Sequence, residues 1–407
     1  MLATLIPLFD NEQRVSAYSI FSQKTNLLLN PSYQGSGVND GAGSINGLDI
    51  IRAVGLDTLS LGSDVFVPVS NIAIFTDIGE ACKVQHDRIV LLFDDTITAS
   101  GEYIERLKSL KAEGFRLAIR KLKVSEYTGY APVLKLMDII LLNTKEVDVF
   151  KAKVYFRKLF PDLQLCVGNI DETSQFDELS KDRDFSMFEG SFYRLPVTKG
   201  RQEVMPLKVN YIKLLELVNN ADYDLTKAAD IISHDTALTV SLLDIVNHMA
   251  RNSRITSIRH AAAMLGQQEL KKWINVAVTK ELCADRPDEI TRISLLRAKF
   301  VEQLSPLFDM AGQSQELFLM GLFSVLDLIL EMPMEEALKR VNVSKKITEA
   351  LVHGKGDFEP VLDLMLRYEN ADWQELSRQM ILLNINTDDV YDAYISSLVW
   401  YRDLFKS

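Results

Sequence analysis

The sequence predicts an α/β barrel followed by an all-helical domain, and two patterns lead to this prediction. In the first half, apolar runs rich in β-branched residues alternate with segments of helical period, which favours βαβ units and a largely parallel sheet or barrel. From about Lys208 onward the strand-like runs stop and nearly every segment has helical period. The pattern changes around Leu195–Arg201. We therefore predict two domains, residues 1–204 and residues 205–407.

Length and composition agree with two soluble domains. A chain of 407 residues can form two hydrophobic cores, and its 47% hydrophobic and 25% charged residues are typical of a globular protein. The net charge of -11 disfavours non-specific binding to nucleic acid or to an anionic membrane surface. Cys82, Cys166 and Cys283 are far apart and odd in number, which favours reduced thiols, a cytoplasmic location and no zinc site.

Neither a signal peptide nor a membrane span is expected. The apolar start of the chain lacks the basic residues and the longer apolar core of a signal peptide. The best membrane candidate, Leu317–Leu330, is too short and contains Asp327. We predict a buried helix at this position.

The individual elements follow from local pattern. Strands are predicted where short apolar runs occur, at Leu2–Phe9, Val15–Phe21, Val65–Val69, Ile89–Phe93, Phe115–Ile119, Ile139–Leu142 and Leu163–Val167. Helical period marks Gly101–Ala112 and Lys145–Leu159 in the first half, and Tyr211–Val218, Thr236–Met249, Gln268–Leu282, Gln315–Leu330 and Val390–Leu404 in the second. Asn30–Gly47 contains five glycines among small polar residues, which indicates a long loop of unassigned order and role.

Two adjacent cations end one of the predicted strands. Arg120 and Lys121 follow the apolar run Phe115–Ile119, which comes directly after an amphipathic helix closed by Gly114. In an α/β barrel the C-terminal ends of the strands carry the chemistry. Arginine and lysine do not ligate divalent metals, which take oxygen ligands at such sites. The pair is therefore a candidate anion site, or else it forms salt bridges with nearby acids such as Asp94.

The order of strands over residues 1–200 resembles that of EAL-type cyclic di-GMP phosphodiesterases, a family of (β/α) barrels. Ala17–Gln23 is similar to the opening strand of that family, and Ile89–Asp94 and Asp138–Asn143 are similar to later ones. In the resemblance, Ser19 takes the place of the signature glutamate, Pro68 takes that of a metal-ligating asparagine, and Leu91 takes that of a metal-binding glutamate. Arg120 and Lys121 replace a pair of aspartates. Leu141 replaces the catalytic lysine, and Asn143 replaces an aspartate.

These replacements imply a barrel that keeps its scaffold and has lost its metal ligands. Metal-assisted phosphodiester hydrolysis needs clustered carboxylates that hold divalent ions near the attacking water. From the resemblance we therefore expect a degenerate domain with no catalytic residues, no metal and no cofactor, and we predict that the protein is not an enzyme.

Residues 205–282 resemble the HDOD domain, and the helical segments beyond them resemble the extension found in two-domain EAL–HDOD proteins of bacteria. The matching segments include Asp224–Ile232, Leu242–Asn247 and Ile255–Ile258. Inside this region, His234-Asp235 is also the core of metal-dependent phosphohydrolases, which draw further ligands from other helices. A capping role explains the dipeptide without metal, with Asp235 at the start of a helix.

Three hypotheses for function follow. The first is a cytoplasmic bacterial signalling or adaptor protein that lacks catalysis and acts through contacts with other signalling proteins. The second is a metal-free sensor that binds cyclic di-GMP or another anion at Arg120 and Lys121. The third is an HD-type metal phosphohydrolase centred on His234-Asp235. Neither nucleic acid nor a membrane is expected as a partner, and the sequence leaves self-association open.

Overall fold

The computed structural model of the protein describes residues 1–23, 45–82, 86–197, 206–220, 222–249, 255–284 and 288–405. These residues form two compact units. The first consists of Met1–Leu195 together with Leu364–Ser407, and the second of Pro196–Asp363. Most of the glycine-rich segment Asn30–Gly47 lies outside the described residues.

The first unit is built on a closed barrel. Its strands are β1 (Leu2–Phe9), β2 (Val15–Gln23), β3 (Asp64–Pro68), β4 (Ile89–Phe93), β5 (Arg116–Arg120), β6 (Ile139–Asn143), β7 (Gln164–Ile170) and β8 (Phe185–Gly190). Neighbours in sequence are neighbours in the barrel, and β8 pairs with β1 to close it. Strand β1 runs antiparallel to both of its neighbours, whereas β2 to β8 pair in parallel.

Helices follow most of the strands, as the alternating pattern predicts. They are α1 (Asn46–Val54), α2 (Leu56–Ser60), α3 (Ile78–Ala81), α4 (Gly101–Ala112), α5 (Ala131–Leu134), α6 (Val149–Leu159) and α7 (Thr173–Leu179). The start of α6 is set by Asp148, whose side chain accepts a hydrogen bond from the backbone N–H of Lys151. This cap satisfies one of the N–H groups that lack a partner in the first turn.

The barrel interior is filled by small and branched apolar side chains. Successive residues of a strand point to opposite faces, so every second residue faces the interior. The buried cluster there consists of Leu8, Ala17, Phe66, Val90, Leu92, Ala118, Ile139, Leu141, Cys166 and Met187. Because inward-facing residues recur at every second position, the members of this cluster show which polar residues near the strand ends also face inward.

The second unit is helical. Its helices are α8 (Pro206–Val218), α9 (Leu225–Ser233), α10 (Thr236–Met249), α11 (Ile258–Leu282), α12 (Asp288–Leu304), α13 (Ser314–Phe323), α14 (Leu326–Leu330), α15 (Met334–Val341) and α16 (Lys345–His353). Helices α12 and α13 approach closely at Gly321, where a Cβ atom would lie 2.5 Å from the carbonyl oxygen of Arg297. The buried helix predicted at Leu317–Leu330 is present as α13 and α14, joined by a break.

The chain returns to the barrel unit within α17 (Glu359–Glu369), and α18 (Trp373–Leu382) and α19 (Thr387–Phe405) follow. Tyr368 is fully buried, and its hydroxyl oxygen accepts a hydrogen bond from the backbone N–H of Ala3 at 3.3 Å. Arg402 donates to the side chain of Thr58 at 2.9 Å. The division expected from the sequence placed all of 205–407 in one domain. The structure instead groups Leu364–Ser407 with the barrel, because these helices complete its packing.

Across the described ranges, the structure contains no helix with both the length and the apolar character needed to cross a membrane.

Candidate functional site

The C-terminal ends of β2 to β8 meet at one end of the barrel, which we call the barrel mouth. We define it by the residues that continue the inward-facing alternation beyond the apolar cluster: Ser19, Pro68, Asp94, Arg120, Asn143 and Glu189. Each lies two residues after an inward-facing member of the cluster on its own strand. In a barrel of this kind, this end is where functional side chains are grouped.

Ser19 lies deepest among these residues. It pairs with Ile6 on β1 and Phe66 on β3 and is only 1% exposed. Its hydroxyl group is buried and makes no hydrogen bond with any described residue. A buried hydroxyl without a partner costs free energy, so Ser19 provides a polar group that a bound ligand or water could satisfy.

Arg120 reaches into the mouth from the end of β5. Its guanidinium group lies 5.3 Å from the centre of the Phe21 ring, within the range of a cation–π interaction. The Nε atom is buried and makes no hydrogen bond within the described part of the chain. Burial lowers the pKa of Arg120, and the negative charges of Glu189 and Asp94 act against this shift.

Glu189, on β8, is a carboxylate at the mouth that interacts electrostatically with Arg120. Burial raises the pKa of Glu189, and the positive charge of Arg120 opposes the rise. Glu189 was not among the site residues predicted from the sequence. The signal that could have identified it is its position two residues after the apolar Met187, on the inward face of a short strand.

Lys121 turns away from the strand direction and pairs with Asp94. Its φ angle is +63°, so the backbone takes the left-handed conformation directly after β5. The Lys121 ammonium lies 3.3 Å from Asp94 Oδ2, as the salt-bridge alternative in the sequence predicted. Burial tends to raise the pKa of Asp94, but hydrogen bonds from Thr96 and the charge of Lys121 outweigh it, and the net pKa is lowered.

The remaining residues named from the resemblance are not all inward-facing. Leu141 belongs to the interior cluster, and the side chain of Asn143 accepts a hydrogen bond from the backbone N–H of Lys145 at 3.0 Å. Leu91 does not belong to the interior cluster. It alternates with the interior residues Val90 and Leu92, so it points out of the barrel, and Leu92 occupies the corresponding inward position.

The side chains at the barrel mouth do not fit a divalent metal ion. Such ions need several carboxylate or carbonyl oxygens at one point. Within the described residues, no group of three or more His, Cys, Asp or Glu side chains is arranged to hold a metal. The two carboxylates that do lie at the mouth, Asp94 and Glu189, interact with Lys121 and Arg120 instead.

In the helical unit, His234 and Asp235 have structural roles. One oxygen of Asp235 accepts a hydrogen bond from the backbone N–H of Leu238 at 2.9 Å, which caps α10 as predicted. Its other oxygen accepts from the Tyr211 hydroxyl at 2.7 Å. Nδ1 of His234 lies 2.6 Å from the carbonyl oxygen of Asp230. Both side chains therefore have partners that do not require a metal.

Comparison with known proteins places the helical region in a family. Residues 205–353 match the family model of the HDOD domain. The chain is 24% identical over 323 residues to cyclic di-GMP phosphodiesterase CdgJ of Vibrio cholerae, covering 78% of this chain and 74% of that one. It is also 24% identical over 412 residues to the uncharacterized protein YuxH of Bacillus subtilis, covering 98% and 97% of the two chains.

Among solved structures, the chain is similar to the Bacillus subtilis YkuI protein, which has an EAL domain and was determined with its substrate c-di-GMP and calcium. The TM-score is 0.36 at 14% identity, and the match covers 67% of this chain and 73% of the other. An EAL domain protein from Listeria monocytogenes matches with a TM-score of 0.34 at 10% identity, covering 47% and 86%.

The prediction that the protein is not an enzyme is contradicted by these relatives. It rested on the missing metal ligands of the resemblance. The similarity to CdgJ extends over 78% of the chain, and that relative is named as a phosphodiesterase.

Residues 205–353 match the HDOD domain, and the chain joins this region to a closed eight-stranded barrel, as the resemblance to EAL–HDOD proteins predicted.

Proposed function

We propose that the protein acts in cyclic di-GMP signalling by binding cyclic di-GMP at the barrel mouth, with Arg120 and Lys121 as the phosphate-binding residues. The proposal rests on the orientation of the Arg120 side chain and on its hydrogen bonding. Its guanidinium group is directed into the mouth, and its buried Nε atom has no hydrogen-bond partner in the described part of the chain. Similarity to a relative named as a cyclic di-GMP phosphodiesterase supports the choice of ligand.

The chemistry of the two cations suits a phosphodiester. Arginine presents several N–H donors in one plane, and lysine provides a compact charge on a long stem. Lys121 is 57% exposed and its contact with Asp94 is 3.3 Å long. Exposed pairs of this kind contribute little to stability, so a ligand phosphate can replace Asp94 as the partner of Lys121 at small cost.

The charges at the mouth also set a limit on affinity. Arg120 and Lys121 are balanced by Glu189 and Asp94, so a ligand anion competes with two carboxylates for the same cations. Binding that depends on such charges weakens as salt screens them. We therefore expect affinity to fall when the ionic strength rises.

Calorimetric titration of the full chain with cyclic di-GMP, without added metal, tests the proposal. Lys121→Gln should weaken binding about tenfold, because a charge-assisted hydrogen bond contributes roughly 1.5–3 kcal/mol. The matched control is Lys111→Gln. Lys111 also pairs with an aspartate, Asp138, at 2.8 Å, but this pair lies at the opposite end of the barrel, where β6 begins.

Wild-type binding that weakens with salt, is reduced by Lys121→Gln and is unchanged by Lys111→Gln supports the proposal. Absence of heat at high micromolar ligand, or equal loss in both variants, contradicts it.

A second candidate function is docking of other signalling proteins on the helical unit. Helix α10 leaves three apolar side chains exposed, with Val240 at 52%, Ile245 at 40% and Met249 at 59%. Ile245 and Met249 are four residues apart and lie on one face of α10, and exposed apolar side chains on one face are typical of interaction sites. The test compares proteins that co-purify with the wild type and with Met249→Glu; identical sets would remove α10 as the contact surface.

A further inference from the structure

The helical unit contains a cavity of about 490 Å³ that no part of the proposed function uses. It lies between α11, α12 and α13 and the segments that follow α8 and α15, and its lining includes both charged and carboxamide side chains. Cavities of this size are typical of sites for small organic molecules. All its lining residues belong to the unit Pro196–Asp363.

Lys271 is a lining lysine that forms no direct ion pair with a described residue. Its side chain is half-buried, and no described residue lies within ion-pair or hydrogen-bond distance of its ammonium group. Burial lowers the pKa of Lys271, and the charge of Glu316 acts in the opposite direction. The charge of Glu316 compensates Lys271 only at a distance, and a partly buried cation is stabilised further when an anion occupies the space beside it.

The adjacent residue, Lys272, differs from Lys271 because it forms a direct ion pair. Lys272 also lines the cavity, but its ammonium lies 2.6 Å from Glu302 and 4.8 Å from the centre of the Phe318 ring. Its charge is therefore already balanced by the protein. Of the two adjacent lysines, Lys271 is the one whose charge is available to a ligand.

Glu316 places a negatively charged carboxylate on the wall of the same cavity. One carboxylate oxygen, Oε2, accepts a hydrogen bond from the Ser344 hydroxyl at 3.1 Å. The other oxygen, Oε1, accepts no hydrogen bond from the described residues. A cation and a carboxylate therefore face one cavity, each with unused hydrogen-bonding capacity.

The part of the cavity next to Lys271 is fixed by a carboxamide pair. Asn275 is fully buried on α11 and donates to the carbonyl oxygen of Lys271 at 2.8 Å. Its side chain also contacts Asn219 at 3.4 Å, and Asn219 donates to the carbonyl oxygen of Val341 at 3.1 Å. These bonds tie α8, α11 and α15 together, so the cavity is formed by rigid elements.

We propose that this cavity binds a small molecule that has an anionic group and at least one N–H donor, with Lys271 binding the anionic group and Glu316 accepting from the donor. A purine nucleotide and an amino acid share this chemistry. The first offers a phosphate and the N–H edge of a base, and the second offers a carboxylate and an ammonium group.

The test is a calorimetric titration of the full chain with guanosine monophosphate and, separately, with L-glutamine. Binding of either probe should weaken about tenfold or more in Lys271→Met, which keeps the length of the side chain and removes its charge. Lys213→Met is the matched control, since Lys213 is exposed on α8 and does not line the cavity. Glu316→Gln should weaken binding as well, because the amide replaces a charged acceptor with a neutral one.

Thermal unfolding without ligand gives a second readout. Lys271→Met should raise the unfolding midpoint, because it removes a partly buried charge that forms no direct ion pair with a described residue. A lower midpoint would show that Lys271 has a structural role and would overturn the proposal. Binding that persists unchanged in Lys271→Met, or no binding of either probe, would also overturn it, and the probe that binds identifies the ligand class.

Discussion

The carboxyl group of Glu189 and the guanidinium group of Arg120 interact electrostatically inside the barrel mouth, and each favours the charged form of the other. Burial acts in the opposite direction on both groups, since it raises the pKa of Glu189 and lowers that of Arg120. The charge of Glu189 therefore helps the Arg120 guanidinium to stay positively charged in a partly desolvated site. An anionic ligand that reaches Arg120 must compete with Glu189.

The raised pKa of Glu189 predicts a specific pH dependence of stability. A carboxyl group whose pKa is higher in the folded state binds more protons there than in the unfolded state. Its contribution is complete below the unfolded pKa, about 4.3, and is lost as the pH rises through the folded pKa. Relative to Glu189→Gln, the wild-type protein should therefore lose stability as the pH is raised above about 4.3.

Urea unfolding of both proteins across this range measures the difference. Glu178→Gln, an exposed change on α7, controls for the altered net charge. If the free energy of unfolding of the wild type increased relative to that of Glu189→Gln as the pH rose, the raised pKa of Glu189 would be contradicted.

Tyr368→Phe should destabilise the barrel unit by about 1–3 kcal/mol, because the buried N–H of Ala3 loses its acceptor. Tyr391→Phe is the control: Tyr391 is half-buried on α19, and its hydroxyl makes no hydrogen bond with a described residue. Chemical unfolding followed by circular dichroism reports both values. Equal effects of the two changes would mean that the Tyr368 hydroxyl does not help attach the C-terminal helices.

Gly190→Ala should disrupt the end of β8. A Cβ atom at Gly190 would lie 2.0 Å from the carbonyl oxygen of Ile170 on β7, so the two strands would have to separate. Overpacking of this kind typically costs about 1–3 kcal/mol or more. Gly101→Ala, at the start of α4, places its Cβ in open space and should be neutral or slightly stabilising.

Thermal melts of the two alanine variants check this prediction. A Gly190→Ala protein as stable as Gly101→Ala would show that β7 and β8 tolerate a wider spacing at the barrel mouth.

The cap of α10 gives a further prediction. Asp235→Ala should lower stability by about 1–2 kcal/mol, since it removes the acceptor for the Leu238 N–H and for the Tyr211 hydroxyl. His234→Ala should have a smaller effect, because that side chain is exposed and bonds only within its own turn. If both variants were equally destabilised only when metal was present, the capping interpretation would be wrong.

Much of the barrel could be predicted because most of its strands are short and mainly apolar. Leu2–Phe9 and Ile89–Phe93 were predicted with the bounds that the structure has. Strand β8 was missed: Phe185–Gly190 contains Ser186 and ends in a charged residue and a glycine, so its apolar signal is weak. The grouping of Leu364–Ser407 with the barrel depends on contacts such as Tyr368 with Ala3, which are distant in sequence and leave no local pattern.

At the candidate site, the sequence identified the two cations and one of their partners, Asp94, and missed the other partner, Glu189. Arg120 and Lys121 could be placed because they end a strand, and the ends of strands meet at one face of a barrel. Leu91 was assigned one residue away from the inward position, since an unbroken apolar run such as Ile89–Phe93 does not reveal which residues face inward. Glu189 and the cavity beside Lys271 depend on how separate elements pack, and a single sequence does not encode that directly.

The central claim is that Arg120 binds a phosphate of cyclic di-GMP in competition with Glu189, and one comparison of affinities tests it most directly. The proteins are the wild type, Glu189→Gln and the double variant Arg120→Met/Glu189→Gln, which avoids leaving a buried carboxylate without its cation. Calorimetric titration at low salt should give tighter binding for Glu189→Gln than for the wild type, because the competing charge is gone, and no measurable binding for the double variant. Equal affinities in all three proteins would contradict the claim.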